Sequence, residues 1–259
     1  MLETALSTAP ELAPTVVTFW PHPRIVLGNE VGLLTTLDRR LELLAEAGLG
    51  ETLVVEFTVE LAQMEPEAFV DELLRPIGSQ IVVAGADFRF GRSRRGDLGT
   101  FEQLGLAVRR VDLFPGVSST AIRALLAEGD LEGASRLLGR PPEVDGTVVA
   151  GDARGGTLGY PTANLRVDPD LLVPAYGIYA GWVAGHRAAV SIGTNPHYGG
   201  RERRVEAFLL DFEGDLYGER LIVELWRRLR DEQAFVSEEE LVAQIARDVE
   251  ATRAAERPL

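Results

Sequence analysis

Through residues 1–138, short apolar runs alternate with stretches in which apolar side chains recur every three or four positions. The runs at 15–19, 52–57, 80–84 and 107–111 are rich in β-branched residues and predict strands. The stretches at 37–47, 66–74, 118–126 and 131–138 carry a helical period. The first of these stops at Gly48, the second opens with acidic residues where the helix dipole favours them, and the third has serines placed to cap it. Such alternation predicts a parallel sheet covered by helices. Near Gly139-Arg-Pro-Pro142 the pattern changes to short strands separated by turns, at 146–150, 177–183, 187–192, 205–211 and 221–226. Gly185-His186 and Glu213-Gly214-Asp215 read as turns, and a last helix spans 237–254 with Ser237 as N-cap and Glu240 in capping-box position. The reading is therefore two domains, 1–138 and 139–259. The second is a small antiparallel β-barrel closed by a C-terminal helix.

Composition removes several classes of chemistry. All 26 basic residues of the 259 are arginine, so no lysine-based phosphate loop or Schiff base is present. There is no cysteine, hence no disulfide, thiol nucleophile or thiolate metal site. The net charge of −14 carries no basic stripe for nucleic acid or an anionic membrane. No apolar run reaches the roughly 18 residues of a membrane span, and no signal-peptide pattern opens the chain. The expectation is a cytoplasmic protein acting on small molecules.

The densest chemistry lies in Gly151-Asp-Ala-Arg-Gly-Gly-Thr-Leu-Gly-Tyr-Pro-Thr-Ala-Asn-Leu165. Gly151, Gly155, Gly156 and Gly159 let backbone approach a phosphate and aim N–H groups at it. Thr162 and Asn164, two apart on extended chain, present neutral oxygens to one side. That pair suits Mg²⁺ riding on a nucleotide phosphate; a glycine-rich hairpin with two polar strand residues accounts for the same spacing. Glu206 sits between Val205 and Ala207 on an apolar strand, where a carboxylate either has a task or faces solvent on an edge. Phe208 and Tyr217 read as core aromatics, and His186 and His197 as surface and turn residues.

These segments, followed by Ser191-Ile-Gly-Thr-Asn-Pro196, Val205-Glu-Ala-Phe-Leu-Leu-Asp-Phe212, Gly214-Asp-Leu-Tyr-Gly218 and Leu229-Arg-Asp-Glu232 with Phe235, resemble the riboflavin kinase domain of the bacterial bifunctional riboflavin kinase/FMN adenylyltransferase family. The resemblance implies ATP-dependent phosphorylation of riboflavin to FMN. It makes Glu206 the catalytic base, Thr162 and Asn164 the Mg²⁺–nucleotide ligands, and Asn195, Arg230 and Asp231 flavin-side residues. Where the family usually carries Gly-Arg this chain has Gly155-Gly156. Arg154 is the nearby residue able to replace that charge, and ATP affinity is what the change touches.

The first half resembles the same family's adenylyltransferase domain, an α/β nucleotidyltransferase-like doubly wound parallel sheet. Thr18-Phe-Trp-Pro-His-Pro23, Gly85-Ala-Asp-Phe-Arg-Phe-Gly91 with Arg95-Gly-Asp97, and Ser118-Ser-Thr-Ala-Ile-Arg123 carry the likeness. It singles out His22, Asp87, Ser118, Ser119, Thr120 and Arg123. A helix N-terminus rich in hydroxyls binds phosphate, with Arg123 one turn in; the bland account is an ordinary helix cap. The family's opening GxFDGVHxGH segment has no counterpart: the three histidines are His22, His186 and His197, and none has the HxGH spacing. The chain thus reads as starting within the helix after that motif, through a misassigned start or a fragment, with an incomplete sheet. The FMN adenylyltransferase step that makes FAD is expected to be lost with the electrostatic stabilisers. A non-catalytic flavin or nucleotide sensor is the competing class, and the joint presence of Glu206, Thr162 and Asn164 weighs against it.

Overall fold

A computed structural model describes residues 2–9, 11–150, 160–194 and 203–258. The chain divides into two compact units, one formed by 1–31 and 37–115, the other by 32–36 and 116–259.

In the first unit, strand β1 (Thr15–Trp20) pairs in parallel with β2 (Glu51–Glu56), and β3 (Ile81–Gly85) with β4 (Ala107–Val111). Each pair is printed by the chain as strand–helix–strand. Helix α1 (Leu37–Glu46) precedes β2, and α2 (Leu98–Gln103) precedes β4. Asp97 begins α2 with a reciprocal cap, its carboxylate accepting from Thr100 N while the Thr100 hydroxyl accepts from Asp97 N. The stretch read as one helix over 66–74 is a short α-helix, Pro66–Phe69, running into a π-helical turn, Val70–Leu74. Val70 and Leu74 are thereby buried with Phe69, Phe90, Phe101 and Leu106. Val17 and Phe19 of β1, Val82 of β3 and Val108 of β4 pack on that one cluster. The expected parallel pairing is met, as two two-stranded sheets.

The second unit is a closed six-stranded barrel. Strands β5 (Glu143–Val149), β6 (Ala163–Val167), β7 (Gly177–Val183), β8 (His186–Thr194), β9 (Arg203–Leu209) and β10 (Arg220–Arg230) close in the order β10-β5-β6-β9-β8-β7. All neighbours are antiparallel. Alternation decides the interior. Val144, Val148, Leu165, Val190, Ile192, Val205, Ala207, Val223 and Leu225 point inward and are buried. The β7–β8 hairpin turns at Ala184-Gly185, both with positive φ, one residue earlier than Gly185-His186. Strand β10 runs past 226 to Arg230 because register shifts at Leu225/Arg227 and Arg228/Arg230 let it bend and continue pairing with β7.

Helices α3 (Ser119–Glu128) and α4 (Leu131–Leu138) belong to the barrel unit by contact, although their pattern continues the alternation of the first half. Ser118 caps α3, Gly129 ends it in the left-handed region, and Asp130 at once caps α4. Residues 32–36 are also stitched to the barrel unit. Leu33 bridges Leu171, and the Thr36 hydroxyl donates to the buried Asp145, which also takes two bonds from Arg220 at 2.9 and 2.8 Å. Helix α5 (Glu238–Ala254), begun by Ser237 accepting from Glu240 N, lies against β7 and β8.

Candidate active site

The outward face of the barrel at β6, β9 and β8 assembles the polar residues. Register pairs Asn164 with Glu206 across β6–β9, and Ser191 with Glu206 across β8–β9. On β9, Val205, Ala207 and Leu209 fill the interior, so Arg204, Glu206 and Phe208 face out and are half-buried. They do not face bulk solvent. They form one wall of a cavity of about 310 Å³, with Tyr160, Thr162, Ile178 and Ser191 beside them. Arg230 at the end of β10, the segment after it (Glu232, Gln233 and Phe235) and the α5 residues Leu241, Ile245 and Asp248 form the other walls. The spacing 241, 245, 248 is one face of a helix. Tyr160 meets Phe208 edge to face at 5.3 Å between ring centres.

Two ion pairs stand in the cavity. Arg204 Nη2 lies 2.6 Å from Glu206 Oε1, and both side chains are about a quarter exposed (25% and 23%). The same guanidinium sends Nε and Nη2 to Asn164 Oδ1 at 3.2 and 3.1 Å. On the opposite wall Arg230 grips Asp248 through Nε at 3.0 Å and Nη2 at 2.8 Å, and Gln244 Nε2 donates to the same carboxylate at 2.8 Å. Arg230 also sits 5.9 Å over the Phe235 ring and donates to the Asp231 carbonyl. Its guanidinium thus fixes the wall to α5. The Glu232 carboxylate packs on Gly193, where any Cβ would overlap it. Burial there raises its pKa above the usual carboxylate value, with Arg230 pulling the other way.

The sequence-derived residues fall in different places. Thr162, Glu206 and Arg230 line the same cavity, and Asn164 is opposite Glu206 in register and bonded by Arg204. Asp231 points away, exposed, 2.8 Å from Arg228. Gly151, Gly155, Gly156, Gly159 and Asn195, with Arg154 and His197, lie outside the described residues. His22 and Asp87 are in the first unit, where His22 Nδ1 accepts from Arg24 N to cap a short helix and Asp87 is exposed. Ser118, Ser119, Thr120 and Arg123 are in the barrel unit. Ser118 accepts from Ala121 N, Ser119 and Thr120 are exposed in the first turn of α3, and Arg123 Nε donates to Gly32 O at 2.7 Å.

Two aromatic assignments are corrected: Phe208 lines the cavity, and Tyr217 is 63% exposed. For Phe208 the reason is parity. The barrel interior takes the odd-numbered residues of β9, which leaves 208 outside with 206. The same two-residue step from Glu206 would have found Arg204. Asp248 and Gln244 gave no local signal, since a helix-borne carboxylate and amide usually face water.

Neutral oxygens such as those of Thr162 and Asn164 are the donor type that a hard divalent cation shared with phosphate takes, although Asn164 Oδ1 here accepts from Arg204. Mg²⁺ takes one or two protein ligands and completes its shell with phosphate and water. Among the described residues no group of three or more His, Cys, Asp or Glu is placed to hold a metal alone.

Comparison with known proteins adds the following. Residues 1–121 match the FAD synthetase family model and residues 138–255 the riboflavin kinase family model. The bifunctional riboflavin kinase/FMN adenylyltransferase of Listeria monocytogenes is 38% identical over 94% of this chain and 82% of its own. The protein of the same name from Escherichia coli K12 is 36% identical over 90% and 79%. A crystal structure from Streptococcus pneumoniae, described as a macrolide-efflux protein, superposes with a TM-score of 0.87 at 32% identity, covering 97% of this chain and 88% of that one.

Proposed function

The chain belongs to the bifunctional riboflavin kinase/FMN adenylyltransferase family, and from that premise we propose that its barrel transfers the γ-phosphoryl group of ATP to riboflavin, with Glu206 taking the proton. The observation that supports this reading is the register that sets Asn164 and Ser191 on either side of Glu206, with Glu206 and Ser191 lining the cavity. Phosphoryl transfer asks the protein for positioning, charge and a group to receive the hydroxyl proton. Glu206 Oε accepts the proton of the terminal ribityl hydroxyl as that oxygen bonds the γ-phosphorus and ADP leaves, giving FMN. Thr162 and Asn164 would hold Mg²⁺ through their side-chain oxygens, and the cation supplies neutralisation of phosphate charge. Ile178, Phe208, Leu241 and Ile245 give the apolar wall that a flat ring system needs. Arg230 positions that wall through Asp248. Replacing Glu206 by Gln keeps the shape and removes the base, so kcat for FMN formation is expected to fall about 10²–10⁴-fold. An E206Q enzyme with full turnover would remove Glu206 from the role.

The two activities divide at about residue 138, with the kinase in 139–259. Adenylyl transfer to FMN is weak or lost in this chain, because its three histidines lack the HxGH spacing. His22 and Asp87 in one unit, and Ser118, Ser119, Thr120 and Arg123 in the other, are then remnants of the family's adenylyltransferase pattern in the sequence. A cytoplasmic site of action accords with a family acting on riboflavin, FMN and ATP. Among the described residues no helix is long and apolar enough to cross a membrane.

A further inference from the structure

The kinase reading leaves Arg204 without a task, and its geometry gives it one. Two of its donors, Nε and Nη2, converge on a single acceptor, Asn164 Oδ1, at 3.2 and 3.1 Å. An amide oxygen has two lone pairs, so this contact uses both. The same guanidinium stands 2.6 Å from Glu206 Oε1. One cation therefore bonds the oxygen assigned to the metal and the carboxylate assigned to the hydroxyl proton. The strand fixes this: 204 and 206 share a face, and 164 is directly across from 206. A divalent cation at Asn164 would meet a guanidinium on the same ligand, which is unfavourable both as like charge and as competition for lone pairs.

Resting on the kinase reading, we propose that Arg204 is an exchangeable internal cation: it holds Asn164 and Glu206 together and must release both when the metal–nucleotide and the hydroxyl enter. Arg204 thereby sets the metal–nucleotide affinity lower than the ligands alone would give. Partial exposure makes such an exchange feasible, since the pair is not locked in a dry interior.

The test is calorimetric titration of Mg·ADP into the full chain and into its R204M and R204Q variants, repeated with ADP and EDTA. Both variants are carried so that one folding failure leaves the other to decide. Removing the ion pair and its hydrogen bonds is expected to tighten Mg·ADP about threefold to tenfold. Without metal the gain should vanish, because ADP alone then has no cation to compete with Arg204. A purely structural role would lower thermal stability with and without Mg·ADP alike, whereas exchange enlarges the stabilisation that Mg·ADP confers. Mg·ADP binding no tighter in the folded variants than in wild type would overturn the proposal. FMN formation by the wild type, assayed in parallel, separates this failure from failure of the kinase reading.

Discussion

At the residue scale, strand parity explains both what could be read and what was misread. Thr162 and Asn164 draw notice as neutral oxygens two residues apart, and Glu206 as a carboxylate inside an apolar strand; the fold sets Asn164 opposite Glu206, and Thr162 and Glu206 in the cavity. Phe208 was misread by the same rule applied without knowing which parity faces in. An apolar residue on an apolar strand looks like core until the barrel closes and Val205, Ala207 and Leu209 take the interior. Asp231 and Arg230, adjacent in sequence, part company: one is exposed beside Arg228 while the other is committed to Asp248. The E206Q and R204M predictions belong here, since each changes one group on a wall whose backbone register is set by three strands.

At the element scale, the C-terminal helix and tail close the site. Helix α5 was readable from its cap and period, but what holds it was not, because the partners are 18 or more residues apart. Arg230–Asp248 is the main clasp, with Asp248 only 6% exposed. Removing one member of such a pair leaves an uncompensated charge, at a cost on the order of 3–5 kcal/mol. D248A should therefore lower thermal stability strongly and raise the KM for riboflavin more than it lowers kcat, measured by melting and by initial rates. The tail adds a second clasp. Burial pushes the Glu224 carboxyl up, but bonds from Arg257 at 2.9 and 2.8 Å and from Trp226 Nε1 at 2.8 Å more than offset this and hold it below its usual value. A carboxylate depressed in the folded state contributes stability above its unfolded pKa of about 4.3 and loses it as pH falls through the lower folded value. E224Q should thus reduce the melting temperature at pH 7 and make little difference near pH 2. Equal losses at both pH values would show that packing, and not charge, carries the contact.

At the scale of the whole molecule, the order of strand–helix units and then short strands was legible from periodicity, and a parallel-stranded unit followed by a closed barrel is what the chain forms. The grouping of the joining helices was not. Helices α3 and α4 continue the alternating pattern, yet they cluster with the barrel, as do residues 32–36 through Leu33 and Thr36. Such pairings join positions more than 100 residues apart, as Thr36 and Asp145 do, and leave no periodic trace. The proposal of two activities of unequal fate also belongs to this scale. The measurement that tests it most directly is separation of FMN from FAD after incubating the purified chain with riboflavin, ATP and Mg²⁺. The expected result is FMN, with FAD absent or trace. A folded chain that makes no FMN would contradict the kinase assignment, and robust FAD formation would contradict the loss of adenylyl transfer.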